Sequence, residues 1–143
     1  MSELSVRLAS AADDAACAEI FLAARKRAFH WLQPSQFALD DYARSTIDEE
    51  VWVATRGGSV EGFVSAYLPD GFLHHLFVHP RAQRCGVGSE LLLTAERRLR
   101  RPASLKCLVQ NSSARRFYEK HGWAETERGD DALGPYLVYV KRH

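Results

Sequence analysis

The alternation of apolar and polar residues predicts that the chain begins with a short strand and an amphipathic helix. Residues 4–8 alternate strictly, which is typical of a half-buried strand. Residues 10–13 then match a capping box, with acidic side chains where the first turn of a helix favours them. The helix is expected to end near Phe29, and its basic residues 25–27 are expected to lie mostly off the buried stripe. That stripe consists of the apolar residues at helical spacing: Cys17, Ile20, Phe21, Ala24 and Ala28.

Three apolar runs in the middle of the chain predict an antiparallel meander, after a weaker helix over residues 35–44. Residues 51–54 and 62–67 are rich in β-branched and aromatic residues and flank a Gly-Gly pair, which is a hairpin signal. The third run, residues 72–79, follows a Pro-Asp-Gly turn. Short turns between consecutive strands predict antiparallel pairing of all three.

A glycine-containing segment joins the third strand to a long helix. Gly86 and Gly88 allow the backbone to turn and to approach a ligand closely, and the helix behind them carries apolar residues at helical spacing. The free N–H groups of its first turn attract negative charge, so the segment predicts an anion site. Glycines at a helix start also serve merely to turn the chain, which is the alternative. The apolar run 105–109 beyond the helix predicts a strand parallel to residues 72–79.

The end of the chain predicts a short capped helix followed by two strands. A cap at residues 111–112 opens the helix, and Gly122 stands where a left-handed residue ends one. Beyond it we expect a strand over residues 123–127, a polar loop over residues 129–135 and a final strand over residues 136–141.

Composition limits the classes of function. The 143 residues are 46% hydrophobic, which predicts one domain, residues 1–143, with a sizeable core. With 19 basic and 18 acidic side chains the net charge is +1, so we expect neither nucleic acid nor a membrane surface as a partner. Three separated cysteines without paired ligand spacing favour a reduced, cytoplasmic protein with neither disulfide nor metal. No signal peptide or membrane span is expected.

Two motifs in the second half of the chain resemble a known family. Residues 83–88, QRCGVG, resemble the Gln/Arg-x-x-Gly-x-Gly/Ala pyrophosphate loop of the GCN5-related N-acetyltransferase (GNAT) family. Residues 111–123, NSSARRFYEKHGW, resemble the Asn-x-x-Ala-x-x-Phe-Tyr-x-x-x-Gly-Phe segment of the same family. The two motifs stand in the order and at the separation that the family uses. The resemblance covers about residues 50–143, and the first third of the chain agrees only in its strand–helix–helix pattern.

The resemblance implies an α/β (α+β) fold with a mixed, mostly antiparallel central sheet of six to seven strands and about four flanking helices. A splayed parallel strand pair would leave a V-shaped gap for acetyl-CoA, the implied cofactor. Backbone groups at residues 77–78 would bind the pantetheine arm as an added strand does, and amides of residues 84–89 would hold the diphosphate. The implied cofactor-binding residues are Leu76, Phe77, Val78, Gln83, Arg84, Cys85, Gly86, Val87, Gly88, Ser89, Asn111, Arg116 and Tyr118.

The resemblance also implies direct transfer of an acetyl group to a primary amine in a ternary complex. Tyr118 matches the family tyrosine that faces the CoA sulfur. With ordinary pKa values of about 10 for tyrosine and about 8.5 for a thiol, it could protonate the departing thiolate. The alternative is a core tyrosine beside Phe117. An N–H at about Phe77 is expected to hold the oxyanion. Cys85 is interpreted either as a plain loop residue or as a thiol that forms a mixed disulfide with CoA.

His74 is the candidate general base. The run of residues 73–79 resembles the strand of arylalkylamine N-acetyltransferases that carries their proposed base, at the position that matches His74. That family has a second histidine at the position where this chain has Phe72. A histidine titrates near neutral pH and is suited to take a proton from an ammonium through water. A structural histidine is the alternative. Strand alternation places Phe72, His74, Leu76 and Val78 on one face and Leu73, His75, Phe77 and His79 on the other.

The acceptor, an amine of a small molecule or a peptide, is not legible in the sequence. Phe29, Trp31 and the loop 129–135 are candidate walls of its site beside His74, although the usual burial of aromatic residues favours a packed core for Phe29 and Trp31. Two alternatives stay open: an acyltransferase that uses a longer acyl-CoA, and a CoA-binding sensor or interaction module without turnover. Nothing in the sequence decides between a monomer and a homodimer.

Overall fold

The computed structural model describes residues 3–83 and 86–143, and in this part of the chain a seven-stranded mixed sheet carries helices on both faces. The strands are β1 (Leu4–Leu8), β2 (Glu50–Arg56), β3 (Ser59–Tyr67), β4 (Phe72–Val78), β5 (Ala103–Leu108), β6 (Ala124–Asp131) and β7 (Gly134–Lys141). The helices are α1 (Asp14–Ala28), α2 (Asp41–Ser45), α3 (Val87–Arg98) and α4 (Ser112–Lys120). The expected fold class is confirmed.

The sheet divides between β4 and β5. Its strand order is β1-β2-β3-β4-β5-β7-β6, and every neighbouring pair is antiparallel except β4 with β5. Among the described residues this parallel pair aligns Phe72 with Ser104 and Leu73 with Leu105, and the Ser104 amide donates to the Gly71 carbonyl at 3.0 Å. Beyond Leu73 the two strands separate, which confirms the splayed parallel pair expected from the sequence.

Apolar clusters lie on the two faces of the sheet. α3 buries Leu91, Leu92 and Ala95 completely against one face, where each leucine contributes about 1.5–3 kcal/mol. The opposite face is covered by α1, whose predicted buried stripe is confirmed from Cys17 to Ala24. That second cluster consists of Cys17, Ile20, Phe21, Tyr42, Val53 and Phe63.

The segment between α1 and β2 differs from the prediction in two ways. Arg25 is buried rather than off the stripe, because its guanidinium lies 3.6 Å from the centre of the Phe21 ring and 3.1 Å from the Asp41 carboxylate. The helix expected over residues 35–44 is instead a 3-10 turn at Pro34–Gln36 followed by the short α2. This partly buried ion pair links the end of α1 to the start of α2.

The C-terminal third confirms the helix caps and corrects the loop. The Asn111 side chain accepts a hydrogen bond from the Ala114 amide at 3.3 Å, and Gly122 follows α4 with a φ of +89°. The polar loop expected over residues 129–135 is wrong, because β6 and β7 continue as a hairpin up to Gly134. An edge strand open to water needs no apolar face, so its polar sequence concealed it. In the described residues no helix is long and apolar enough to cross a membrane.

Candidate active site

A cleft of about 680 Å³ opens where β4 and β5 separate. Its volume lies in the range of about 300–1,000 Å³ that small-molecule sites occupy. β4, the turn before α3, the start of α4 and the end of α1 all contribute to its wall. The lining includes Ala24, Arg27, Ala28, His30, Leu76, Phe77, Val78, Gln83, Gly86, Gly88, Ser89, Gln110, Asn111, Ser112, Ser113, Ala114, Phe117 and Tyr118.

The edge of β4 offers backbone hydrogen-bonding groups to this cleft. The His79 amide donates to the Glu61 carbonyl of β3 at 2.8 Å. Because amide directions alternate along a strand, Phe77 also directs its amide and carbonyl towards β3. The polar backbone groups of Leu76 and Val78 therefore face the gap, where β5 has moved away.

Two contacts support this orientation. The Phe77 carbonyl oxygen lies so close to Gly62 of β3 that a Cβ at Gly62 would be 2.9 Å from it. The Val78 carbonyl, which faces the other way, accepts a hydrogen bond from the Gln83 side chain at 3.3 Å. The expectation that the Phe77 N–H faces the gap is therefore wrong, because strand pairing rather than sequence sets which amides are free.

The start of α3 forms the second part of the cleft. Gly86 is the N-cap with a φ of +76°, and the space that a Cβ would fill there is open. The first backbone bond of the helix runs from the Glu90 amide to the Gly86 carbonyl. The amides of residues 87–89 thus belong to the first turn and have no partner within the helix, as an anion site requires. Arg84 and Cys85, which the sequence also assigned to this loop, lie outside the described residues.

Tyr118 lines the cleft and is packed in the core at the same time. Its side chain is buried, with ring contacts to Phe117, Trp123 and Tyr139. Burial, and to a smaller extent the nearby Cys107, raises the pKa of the Tyr118 hydroxyl above its ordinary value. The hydroxyl consequently keeps its proton at neutral pH and serves the cleft as a hydrogen-bond donor.

The remaining predicted binding residues fall into different places. Asn111 lines the cleft, whereas Arg116 is exposed on α4 and is not part of the lining. Phe29 is buried against the ring of Phe77, at a centroid distance of 6.4 Å, and Trp31 is half-buried beside it. Of the three predicted substrate-binding residues, Phe29, Trp31 and His74, none is among the residues that line the cleft.

The end of α1 contributes cleft residues that sequence reasoning missed. Arg27 and His30 line the cleft next to the buried stripe of α1. No motif singles them out, because both look like ordinary polar residues at a helix end. They give the α1 side of the cleft polar side chains, including the positive charge of Arg27.

β4 contains a bulge at His74. Leu73 and His75 pair with consecutive residues of β3, which leaves His74 as an extra residue. Leu73 consequently packs in the same cluster as Leu76, although strict alternation would place them on opposite faces. The face assignment expected over residues 72–79 is therefore wrong for Leu73, before the bulge, whereas beyond it Leu76 and Val78 share one face and Phe77 lies on the other, as expected.

The bulge brings His74 and His75 together beside Glu49. The two rings stack with centroids 3.7 Å apart and planes 23° apart, and His74 Nδ1 lies 2.5 Å from Glu49 Oε2. Candidate ligand atoms of these three residues lie within 4.8 Å of one another. Because the two imidazole rings are nearly parallel, the lone pairs of their nitrogens point along parallel planes and do not converge on one ion. The arrangement therefore favours a hydrogen-bonded group over a metal centre. Glu49 carries no sequence motif and was missed.

Comparisons with known proteins agree with this architecture. A family model described as the Acetyltransferase (GNAT) family matches residues 15–123. The chain belongs to this family. GNAT proteins are acetyltransferases that use acetyl-CoA, which makes acetyl-CoA the cofactor to be tested against the cleft. No curated protein sequence matched the chain.

Several solved structures share the GNAT fold at low sequence identity. The apo form of YjaB from Escherichia coli is 24% identical, with a TM-score of 0.79 over 96% of this chain and 97% of that one. PaiA N-acetyltransferase from Thermoplasma acidophilum in complex with coenzyme A is 18% identical, with a TM-score of 0.78 over 99% of both chains. YncA from Salmonella typhimurium with its cofactor acetyl-CoA is 21% identical, with a TM-score of 0.68 over 97% and 93%. At such identities the similarity shows a common fold.

Proposed function

We propose that this protein is an acetyl-CoA-dependent N-acetyltransferase that acts on a primary amine of a small molecule or peptide by direct attack in a ternary complex. One observation carries the proposal. The gap-facing backbone of β4, the first turn of α3 and the hydroxyl-bearing Tyr118 all line a single cleft. Each feature suits one part of acetyl-CoA. The strand edge suits the amides of the pantetheine arm, the helix start suits the diphosphate, and the Tyr118 hydroxyl suits the thioester sulfur.

The residues of the cleft fit the cofactor. The amides of residues 87–89 and the positive end of the α3 dipole suit the diphosphate, and Gly86 leaves the approach open. The backbone groups of Leu76 and Val78 suit the amide groups of the pantetheine arm, which then takes the place of a missing strand. Asn111 stands on the opposite wall.

Bound acetyl-CoA supplies an activated thioester carbonyl and a thiol leaving group. A gap-facing amide of β4, at Leu76, replaces Phe77 as the donor for negative charge on the carbonyl oxygen. Tyr118 donates a hydrogen bond to the sulfur as negative charge develops there. Because its raised pKa makes Tyr118 a weaker acid than a thiol, it stabilises this charge as a donor, and the proton that the sulfur finally gains comes by way of solvent.

His74 receives the proton that the acceptor nitrogen loses, and it does so through water, because its side chain is not among those that line the cleft. It stands at the point where β4 leaves β5, and its side chain is 34% exposed, so the proton can pass on to water. Proton transfer by a positioned side chain contributes about 10²–10⁴-fold to a rate. Arg27 and His30 lie on the α1 side of the cleft, where the acceptor enters.

A panel of primary amines incubated with the protein and acetyl-CoA tests the proposal, with CoA release and the acetylated product followed by mass spectrometry. We expect at least one amine class to be acetylated. If acetyl-CoA stabilises the fold, by about 2.7 kcal/mol at a hundredfold excess over its Kd, while no amine reacts, the protein is a CoA-binding module instead. A longer acyl-CoA that outcompetes acetyl-CoA would identify a different acyltransferase.

A further inference from the structure

A buried carboxylate lies behind His74. Glu49 stands just before β2, and its side chain is only 7% exposed. Its Oε2 contacts His74 Nδ1 at 2.5 Å, whereas its Oε1 is buried without a hydrogen-bond partner among residues 3–83 and 86–143. A carboxylate that is removed from water with only part of its bonding capacity satisfied is destabilising. Such an arrangement indicates a role other than stability.

His75 provides a neutral support for the His74 ring. Its Nε2 lies 3.1 Å from the Ser45 hydroxyl at the end of α2, and its ring stacks against that of His74. Burial first, and then the positive charges of His74 and Arg25, lower the pKa of His75 well below its ordinary value. His75 therefore stays uncharged, and of the two stacked rings only His74 is placed to gain a proton.

The surroundings of His74 are asymmetric. The charged or titratable groups near it are Glu49 before β2, His75 on β4 and, beyond His75, Arg25 on α1. Glu49 contacts Nδ1, and the partly exposed side chain leaves Nε2 for other partners. The bulge supports this arrangement, because an extra residue in a strand re-aims its side chain.

We propose that Glu49 is the positioning residue for His74, an inference that rests on the proposed function. The Glu49 carboxylate accepts the Nδ1–H, which fixes the tautomer with a bare Nε2. In the reaction an N–H bond of the acceptor breaks, an N–H bond forms at His74 Nε2, and the imidazolium is held against the Glu49 carboxylate until the proton passes to water. The same carboxylate then restores the Nδ1–H tautomer for the next turnover.

The tautomer is tested without turnover, by ¹⁵N NMR of the full-length protein labelled at histidine, with His74→Gln used to assign the His74 signals. We expect a protonated Nδ1 and a bare Nε2 in the parent protein. In Glu49→Ala the Nδ1–H has lost its acceptor, so protonation is no longer held at Nδ1 and moves to Nε2. Glu50→Ala is the matched control, because it removes the neighbouring carboxylate, which bonds Arg98 at 2.8 Å. An unchanged tautomer in Glu49→Ala, or an equal change in Glu50→Ala, overturns the proposal.

Kinetics provide the second measurement. Glu49→Gln is expected to lower kcat/KM for the amine about tenfold or more, with an unchanged Kd for CoA. Because Glu49 acts through His74, the same substitution has no further effect in the His74→Gln background. An equal loss in both backgrounds contradicts the inference. If Glu49→Gln does not fold, Glu49→Asp retains the charge and is expected to retain the Nδ1–H tautomer.

The two proposals can fail separately. If His74→Gln acetylates amines as fast as the parent, the role of His74 as base is wrong. The NMR measurement then still decides whether Glu49 fixes the ring.

Discussion

Gly86→Asp tests the anion site at the start of α3. Gly86 has a φ of +76° and open space where its Cβ would stand, so an aspartate fits and acts mainly through its charge. At about 5 Å, two unit charges repel by about 3 kcal/mol at an effective dielectric constant of about 20, and by about 0.8 kcal/mol in bulk water. Since Gly86 is exposed, we expect a repulsion energy between these two values. Such a repulsion would weaken CoA binding about tenfold or more.

Two control variants separate charge from backbone strain. Gly86→Asn places a neutral side chain of the same shape at the same φ and should bind CoA nearly as the parent does. Gly58→Asp introduces the same residue in the β2–β3 turn, at a φ of +80° and also into open space. Both aspartates are strained by about 1 kcal/mol, so the two proteins should melt alike while only Gly86→Asp loses affinity.

Isothermal titration with CoA at several salt concentrations measures the effect. The loss in Gly86→Asp should shrink as salt rises, because the Debye length falls from about 30 Å at 0.01 M to about 3 Å at 1 M. If Gly86→Asp binds CoA with the parent's affinity, or if Gly58→Asp weakens binding equally, the diphosphate does not lie at the start of α3.

Three further substitutions test the chemistry and the stability of the fold. Tyr118→Phe should lower kcat about a hundredfold or more at unchanged CoA affinity, and a near-parental kcat would remove the hydroxyl from the mechanism. His74→Gln should remove the acid limb of the kcat/KM profile against pH, so a profile that keeps its shape contradicts His74 as base. Arg7 lowers the pKa of Asp13 to about 2, so the carboxylate stabilises the fold fully above about pH 4 and loses this effect as pH falls through about 2. Asp13→Asn should destabilise the protein by about 1–2 kcal/mol at pH 7 and hardly at pH 2, as measured by urea unfolding; a constant difference would contradict the ion pair.

Local signals explain what the sequence predicted correctly. Asn111, Gly86 and Gly122 act within a few residues of themselves, as caps or turn residues, so their patterns suffice to place α3 and α4. The parallel pairing of β4 with β5 follows from the helix α3 between them, because such a crossover returns the chain to the end of the sheet where β4 began. The sequence therefore predicts most of the elements that form the cleft.

Errors arise where pairing between distant segments decides the outcome. The bulge at His74 depends on how β4 aligns with β3, and the same alignment turns the Phe77 amide away from the gap. Glu49 contacts His74 although the two residues are 25 positions apart in the sequence, and no spacing rule predicts such a contact. Arg25 resembles a surface residue in its helix, and the carboxylate that compensates its buried charge, Asp41, comes from a different helix.

The opening between β4 and β5 divides the sheet into two halves. At the closed end of the opening, Phe72 pairs with Ser104 and Leu73 with Leu105. A ligand that bonds to Leu76 and Val78 on one side and reaches α4 on the other would close this seam and complete the sheet. Occupancy of the cleft should then slow amide exchange in β4 and β5 together. Binding free energy would thus stabilise the contact between the two half-sheets against local opening, more than it stabilises either half-sheet by itself.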